Sequence, residues 1–357
     1  SGGIDSTAIC YEMSKLWQTK PKTFSSKFET YDWKSRSNED CILAKEMSAT
    51  YGGEHRELYI NQQYFTDNWE NTALALEEPR QSKSLPVYYG VNENIKNQGI
   101  TVTLSGDGGD ELFAGYKHHR QPDWATKLKA LCVNHRELKN KELWATHEEQ
   151  LQYLDSWLPK GGLQGDKLND FMYIECLNTL SEDFLMRNDK LGMRFSLEGR
   201  FPFMNKTFRD YIRSIPSEHK INKNFMEDNW AYYNKPLLKT AYYKRLPLKI
   251  LEREKTGWRF PTDEFIVGRL SKRAEDRNVL KDYIRNVLSN KEMQEIFEYN
   301  QSEIDDKYMC NKRESWSKGL NKAGEKKILP NIGQRSQKEL FTIMAFAIWY
   351  KVFKMNI

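Results

Sequence analysis

Ser1-Gly2-Gly3-Ile4-Asp5-Ser6-Thr7 opens the chain, and an apolar helical pattern follows it directly. The two glycines let backbone N–H groups approach an anion, and the serine and threonine hydroxyls add donors. A loop of this kind at a helix N-terminus is suited to phosphate groups. The alternative is an ordinary turn and helix cap, since Ser, Gly and Asp are common there.

The loop differs from the best-known phosphate-binding loop. Its spacing is not Gly-x-x-x-x-Gly-Lys-Ser/Thr, and it has no lysine to reach the outer phosphates, which disfavours a kinase or motor ATPase. Asp5 lies inside the loop. A carboxylate repels phosphate unless a cation such as Mg²⁺ lies between them, so Asp5 predicts a metal.

A second loop reads Leu104-Ser105-Gly106-Asp107-Gly108-Gly109-Asp110-Glu111-Leu112-Phe113-Ala114-Gly115-Tyr116. The β-branched and apolar residues 100–104 predict a buried strand before it, and a helix is expected over 111–120. Loops at the carboxyl ends of parallel strands are where open α/β sheets bind ligands. Taken alone, the first loop fits either interpretation equally well, and the second is more simply explained as a turn. The two together favour ATP chemistry at the pyrophosphate end.

Strands alternate with helices in the first third of the chain. Residues 22–28 and 57–60 predict strands, and 38–51 and 86–96 predict helices, which implies a parallel sheet. From about residue 121 the pattern becomes mainly helical. Residues 340–353 are apolar almost all round but too few to span a bilayer, so they predict a buried helix.

Four further stretches carry recognisable motifs. They are Glu78-Pro79; Asn188-Asp189-Lys190-Leu191-Gly192-Met193; Ser196-Leu197-Glu198-Gly199-Arg200-Phe201-Pro202-Phe203-Met204-Asn205; and Lys255-Thr256-Gly257-Trp258-Arg259-Phe260-Pro261. With the two loops, they resemble the synthetase domain of asparagine synthetases, members of the PP-loop ATP pyrophosphatases. The resemblance implies an α/β fold with a parallel sheet of PP-loop (adenine nucleotide alpha hydrolase-like) type. Residues 1–120 would form its nucleotide-binding core, and 121–357 the mainly helical remainder of the same domain.

The resemblance also implies an AMP-forming amide ligase that uses ATP and Mg²⁺. ATP would adenylate a carboxylate, most simply the aspartate side chain, and ammonia would then displace AMP to give asparagine. The residues implied to bind ATP or pyrophosphate are Ser1, Gly2, Gly3, Asp5, Ser6, Leu104, Ser105 and Gly106. Asp5 and Asp110 are implied to hold the metal. Lys255, Asp107 and Tyr116 are the implied catalytic residues, with Lys255 on the α-phosphate and Asp107 near the acyl-adenylate.

Lys255 makes chemical sense in that role. Attack at the α-phosphorus builds negative charge, which a positioned cation stabilises. A solvated lysine is the alternative on composition alone. Gly257 and Pro261, with Trp258 and Phe260 between them, suggest an anchored loop that favours the catalytic reading. Glu198 and Arg200 are expected to form a supporting ion pair.

Two positions depart from the pattern that the resemblance leads one to expect. Ser82 and Asn205 stand where relatives often carry Asp, and either change could alter the acceptor pocket. PP-loops usually follow a buried first strand, so we expect that strand, and anything before it, to be missing from this chain. Glutamine-using relatives carry a preceding glutaminase domain, which would supply ammonia from outside this chain.

Composition favours a cytoplasmic enzyme acting on small molecules. Net charge is only +5, from 55 basic and 50 acidic residues, and no nucleic-acid-binding arm stands out. The five cysteines are scattered and predict neither a disulfide framework nor a zinc site. No apolar run is long enough to cross a membrane. A homodimer is among the assemblies left open.

Three other functions remain. One is a related enzyme that amidates or cyclises a different carboxylate. Another is a PP-loop enzyme acting on nucleic acid, such as a tRNA thiolase, which would need catalytic cysteines or a basic RNA-binding module. The last is a non-catalytic descendant, which the intact first loop, Asp110 and Lys255 disfavour.

Overall fold

The computed structural model describes residues 1–17, 20–30, 36–120, 147–157, 166–221, 234–253, 255, 257, 260–261, 265, 279–297, 299–300, 302, 319–320, 326–327 and 334–354. In chain order the strands and α-helices are α1 (Ile4–Leu16), β1 (Lys22–Phe28), α2 (Glu39–Thr50), β2 (Glu54–Ile60), α3 (Gln62–Asp67), α4 (Trp69–Leu76), α5 (Leu85–Asn97), β3 (Val102–Leu104), α6 (Gly109–Leu112), α7 (His147–Ser156), α8 (Lys167–Glu175), α9 (Met186–Met193), β4 (Glu198–Arg200), α10 (Lys206–Ser214), α11 (Pro236–Ala241), α12 (Leu248–Leu251), α13 (Val279–Leu288), α14 (Lys291–Ile296), β5 (Gly319–Leu320), β6 (Lys326–Lys327) and α15 (Gln334–Lys354). A π-helical segment, Cys176–Leu185, joins α8 to α9.

The sheets are small and mainly parallel. β1 pairs with β2 from Lys22 opposite Glu54 to Phe28 opposite Ile60. β3 pairs with β4, which comes much later in the chain, after α9. β5 and β6 form a short antiparallel pair. The fold is therefore mixed α/β with helices predominant. The predictions of β1, α2 and α5 are confirmed to within a residue at each end, and β2 begins three residues earlier than expected.

The expected buried strand over 100–104 is wrong in length and burial. β3 covers three residues, and Val102 and Leu104 are 49% and 37% exposed. Among the described residues β3 pairs with β4 alone, so its side chains are not enclosed as those of a central strand would be.

The helix expected over 111–120 is also wrong. α6 ends at Leu112, and a separate 3₁₀ helix begins at Lys117. Ala114 takes a left-handed conformation with φ of 56°. The Gly115 N–H bonds back to the Asp110 carbonyl at 2.8 Å, which turns the chain between the two pieces.

The two largest apolar clusters of the described residues support these elements. One lies under α1 and α6, and its members include Ile4, Ala8, Met47, Leu112, Phe113, Leu180 and Phe203. The other contains residues of β1, β2, α3, α13, α14 and α15. In α15, Leu340, Met344 and Ile348 are buried as expected. The described part of the chain contains no helix with both the length and the apolar character needed to cross a membrane.

Candidate active site

The first loop leads straight into α1. Gly3 is the N-cap residue, and no described side chain caps the helix, which leaves its first N–H groups open to an anion. Ser6 Oγ lies 3.0 Å from Ser1 Oγ and donates to the Ser1 carbonyl at 2.5 Å. Thr7 Oγ1 donates to the Gly3 carbonyl at 2.7 Å. These bonds close the loop into a compact turn.

The second loop packs directly against the first. A Cβ on Gly106 would lie 2.8 Å from Asp5 Cβ, and one on Gly109 would lie 2.4 Å from Asp5 Oδ1. Real Cβ atoms do not approach so closely, so glycine is required at both positions. The two loops therefore present their polar groups at one place.

Lys235 joins the acidic residues of the two loops. Its Nζ is 2.6 Å from each carboxylate oxygen of Asp5 and 2.8 Å from Asp110 Oδ1. The Lys235 side chain is 1% exposed, and those of Asp5 and Asp110 are 13% and 12% exposed. Two acidic residues from distant parts of the sequence thus face a single buried ammonium group.

Lys255 reaches the same carboxylate from the opposite side. Its Nζ donates to Asp110 Oδ2 at 2.7 Å, and its side chain is 35% exposed. Burial by itself would raise the pKa of Asp110, but the ammonium groups of Lys235 and Lys255 hold that pKa well below its usual range. Burial opposes the charge of Lys255, yet Asp110 and Asp5 raise the pKa of that lysine above its usual value. Both groups are therefore ionised at neutral pH.

Asp107 lies on the other side of the second loop. Its Oδ2 accepts a 2.7 Å hydrogen bond from Ser105 Oγ and a 2.9 Å bond from Asn188 Nδ2. Burial raises the pKa of Asp107 despite these donors and the nearby Arg187. A carboxylate with a raised pKa is a better proton acceptor than an ordinary aspartate.

Glu111 and Tyr116 form a pair behind the carboxylates. The Tyr116 hydroxyl donates to Glu111 Oε1 at 2.7 Å. Burial, followed by the negative charge of Asp110, raises the pKa of Glu111 to about 8. Burial and the charge of Glu111 raise the pKa of the Tyr116 phenol well above its usual value, so it keeps its proton.

The segment that carries Lys255 is fixed at both ends. The guanidinium of Arg253 donates to the Gly2 carbonyl at 3.3 Å and to Asp40 Oδ1 at 2.5 Å. Phe260 is buried, and its ring centroid lies 4.5 Å from that of Phe65. Gly257 and Pro261 are described, whereas Trp258 lies outside the described residues. The anchored loop expected from the sequence is supported at its described positions.

The structure brings some of the expected site residues together and places others farther away. The loops with Asp5, Asp110 and Lys255 come together. Leu104 and Ser105 lie at the end of β3, where Ser105 N donates to the Arg200 carbonyl at 3.0 Å. Glu198 and Arg200 form an ion pair at 2.7 Å, but both side chains are more than half exposed, so the pair contributes little to stability. The role of each residue in binding or catalysis stays a prediction.

The two departures from the expected motifs have local hydrogen-bonding roles. Ser82 Oγ lies 2.7 Å from Ser84 Oγ in the turn before α5. Asn205 Oδ1 accepts a 3.2 Å hydrogen bond from the backbone N–H of Phe208 and so caps α10. Asparagine and aspartate are about equally good at this N-cap position.

Sequence reasoning missed Lys235, Arg253 and the contact of Asn188 with Asp107. Asn188 falls in one of the quoted motifs, but its partner could not be read from spacing. Lys235 stands in Asn234-Lys235-Pro236 with no motif around it. The one available signal is charge, because two buried carboxylates require a nearby cation.

The donor set fits a hard divalent cation. Carboxylate oxygens are the ligands that Mg²⁺ prefers. Asp110 Oδ1 is buried and receives no aligned hydrogen bond from any described residue, although Lys235 Nζ lies within ion-pair distance. This oxygen therefore has a lone pair that no aligned donor occupies, with the Lys235 ammonium as its neighbour.

In the described part of the chain, two other clusters offer metal-ligand atoms: Cys41 with His55 and Glu57, and Glu175 with His118 and His119. The members of both clusters already have hydrogen-bond partners, and the Cys41 thiol donates to Glu57 Oε1 at 3.3 Å. His55 lies 2.8 Å from Thr23 Oγ1 and 2.9 Å from Ser25 Oγ, and both histidines of the second cluster contact Glu175. These bonds give each cluster a structural explanation without an ion.

Comparison with known proteins relates this chain to a protein family. A family model described as asparagine synthase matches residues 1–324. Glutamine-hydrolysing asparagine synthetase 1 of Bacillus subtilis is 24% identical over 331 residues, which cover 81% of this chain and 48% of that protein. The glutamine-hydrolysing asparagine synthetase of Gallus gallus is 25% identical over 290 residues, covering 80% of this chain and 41% of that protein. The chain thus spans less than half the length of either relative. Since the family model covers most of the chain, this protein belongs to the asparagine synthase family.

Proposed function

We propose that this chain carries the synthetase site of an ATP-dependent, AMP-forming amide ligase built on a PP-loop core. The observation that carries the proposal is the convergence of Asp5 and Asp110 beside Lys255, at the N-terminus of α1. Hydrogen-bond donors, acidic metal ligands and a partly exposed cation at one place are what pyrophosphate release from ATP requires. Family membership supports the same reaction class.

In the first step a substrate carboxylate oxygen attacks the α-phosphorus of ATP. The bond from that phosphorus to the pyrophosphate oxygen breaks, and an acyl-adenylate and pyrophosphate form. The open N–H groups of α1 and the first loop are suited to holding the pyrophosphate. Lys255 is suited to stabilising the charge that develops on the α-phosphate. Mg²⁺, held by Asp5 and Asp110, would neutralise phosphate charge when it is bound.

In the second step ammonia attacks the acyl carbon, the carbon–oxygen bond to AMP breaks, and an amide forms. The attacking nitrogen must lose a proton. Asp107 is suited to accept it, because burial raises the pKa of this carboxyl. Glu111 and Tyr116 would hold the second loop in place behind the metal ligands.

Aspartate is the proposed acceptor, and asparagine the product. A different carboxylate is the second candidate, since Ser82 and Asn205 replace the expected acidic side chains. Glutamine as the source of ammonia, a homodimer and a cytoplasmic location stay predictions. A thiolase is less favoured, because it would need reactive cysteines. The three cysteines that the structure describes, Cys10, Cys41 and Cys176, are all buried.

Pyrophosphate release from ATP tests the proposal. The purified protein is given aspartate or other carboxylates in turn, first without and then with ammonia. Pyrophosphate release with aspartate, together with AMP and asparagine after ammonia is added, is the expected result. Release with another carboxylate alone would keep the reaction and replace the acceptor. No carboxylate-dependent release with any of them would contradict the ligase.

A further inference from the structure

Lys235 is a buried lysine that contacts both acidic loops. Its Nζ lies 2.6 Å from Asp5 and 2.8 Å from Asp110, and its side chain is 1% exposed. A buried lysine is uncommon unless its charge is compensated. The two aspartates provide that compensation, so the lysine and the carboxylates require one another.

Four side chains, those of Asp5, Asp110, Lys235 and Lys255, carry charges that balance one another without a metal. Asp5 and Asp110 contribute two negative charges, and Lys235 and Lys255 contribute two positive charges. A divalent cation added to this neutral group would meet a fixed ammonium at the same carboxylate oxygens, and repulsion between like charges is strong where water is scarce. Nucleotide phosphates bring the negative charge needed to reverse this balance.

The backbone and its neighbours hold Lys235 in place. The residue takes a left-handed conformation with φ of 55° immediately before Pro236, which begins α11. A Cβ on Gly115 would lie 2.4 Å from Lys235 Cε, so the chain of the lysine passes tightly over the second loop. Lys255, by contrast, is 35% exposed. The two lysines are therefore not equivalent: one is fixed and one has access to solvent.

We propose that Lys235 is the internal counterion of Asp5 and Asp110, and that it keeps free divalent cations off these carboxylates in the nucleotide-free protein. The inference rests on the proposed function only for the view that nucleotide brings the metal. The exclusion itself follows from the positions of three side chains. In the nucleotide-free protein Lys235 is thus a positioning residue, which holds the proposed metal ligands.

Manganese binding to the nucleotide-free protein tests the proposal. Free Mn²⁺ is measured by electron paramagnetic resonance in the wild type and in Asp5→Asn, Lys235→Met and Lys235→Met/Asp5→Asn. Lys220→Met is the matched control, because Lys220 is also buried but donates to a neutral Asn169 at 2.7 Å.

We expect the wild type and Asp5→Asn to bind Mn²⁺ equally weakly. Lys235→Met should gain one Mn²⁺ per chain, bound at least about tenfold more tightly than in the wild type, a low value for the removal of one like charge at this distance. The gain should vanish in Lys235→Met/Asp5→Asn and be absent in Lys220→Met. Mn²⁺ should also raise the melting temperature of Lys235→Met and leave that of the wild type unchanged.

Two results would overturn the proposal. One is a wild-type Mn²⁺ site that Asp5→Asn removes. The other is a folded Lys235→Met protein, by circular dichroism, that binds no additional Mn²⁺. If Lys235→Met does not fold, the comparison of Mn²⁺ binding by the wild type and by Asp5→Asn tests the proposal. None of these measurements contains ATP, so a protein that fails to release pyrophosphate can still support or refute the counterion.

Discussion

Tyr116 Oη donates a 2.7 Å hydrogen bond to Glu111 Oε1, and burial raises the pKa of the accepting carboxyl to about 8. Glu111 is therefore mainly protonated at neutral pH, directly beside the ionised Asp110. A neutral side chain at this place avoids a second buried negative charge next to the Asp110 carboxylate.

The raised pKa of Glu111 predicts a pH-dependent stability. The unfolded chain ionises this group near pH 4.5 and the folded protein near pH 8, so stability is lost as the pH rises between these values. Glu111→Gln removes this pH dependence. As the pH rises from about 4.5 to 8, its free energy of unfolding should therefore increase relative to that of the wild type by up to about 1.4 kcal/mol per pH unit. Urea unfolding at pH 5, 6.5 and 8 measures it. Exposed Glu218→Gln is the control, and parallel curves for Glu111→Gln and the wild type would refute the assignment.

Asp110→Asn should stop carboxylate-dependent pyrophosphate release, because it removes a proposed metal ligand and the partner of two lysines. It should also lower the free energy of unfolding by about 3 kcal/mol, as expected when a buried ion pair loses one member. Asp5→Ala should likewise abolish release. Asp210→Asn, on the surface of α10, serves as the control in both assays. Full activity in either site variant would show that the metal assignment is wrong.

Lys255→Ala should reduce turnover by at least about a hundredfold, the effect of losing one strong electrostatic stabiliser. Its fold should survive, because its side chain is 35% exposed. Lys249→Ala, which removes a surface lysine from α12, should retain wild-type turnover. Steady-state pyrophosphate release compares them, and an unchanged rate in Lys255→Ala would exclude a catalytic lysine here.

Gly115→Ala should distort the metal ligands without changing any polar group. The added Cβ would lie 1.8 Å from Asp110 Oδ1, so the carboxylate or the backbone must move. We expect a loss of about 1–3 kcal/mol in stability, typical of overpacking, together with reduced pyrophosphate release. Gly257→Ala is the control for stability, since its Cβ would meet no atom of the described residues within 4 Å. Wild-type stability in Gly115→Ala would contradict the described packing.

Asn205→Ala should cost about 1 kcal/mol of stability because α10 loses its N-cap, whereas Asn205→Asp should remain close to the wild type. Urea unfolding of both variants measures the effect of the helix cap on stability separately from any effect of residue 205 on acceptor preference. If Asp also restores a preference for aspartate in the pyrophosphate assay, residue 205 influences the acceptor. Equal destabilisation by Ala and Asp would argue against a capping role.

Much of the first third of the fold could be predicted because its signals are local. β1 and α2 follow from strand-forming residues and helical periodicity, and the loops follow from glycine and hydroxyl residues near strand ends. The helix expected over 111–120 failed because Gly115 has to pass Asp110, a contact that periodicity does not register. Burial of β3 was overestimated because burial depends on neighbouring strands rather than on β-branched residues alone.

The carboxylates of the candidate site could be predicted from the sequence, but its buried lysine could not. Asp5 and Asp110 stand in motifs, so their meeting could be expected. Lys235 immediately precedes α11 and reaches the loops only through tertiary folding. Composition places lysines at the surface, and only the requirement that buried charge be balanced points to an exception.

Phe260 links the candidate active site to an apolar cluster that has no part in the proposed chemistry. Its ring packs against Phe28 and Phe65, with centroids 5.6 Å and 4.5 Å away, while the same segment carries Lys255 toward Asp110. The reach of the lysine is consequently set by an aromatic cluster. Substitutions that repack this cluster would change the rate of the proposed reaction while leaving every polar residue in place, which gives natural variation an indirect way to alter the activity.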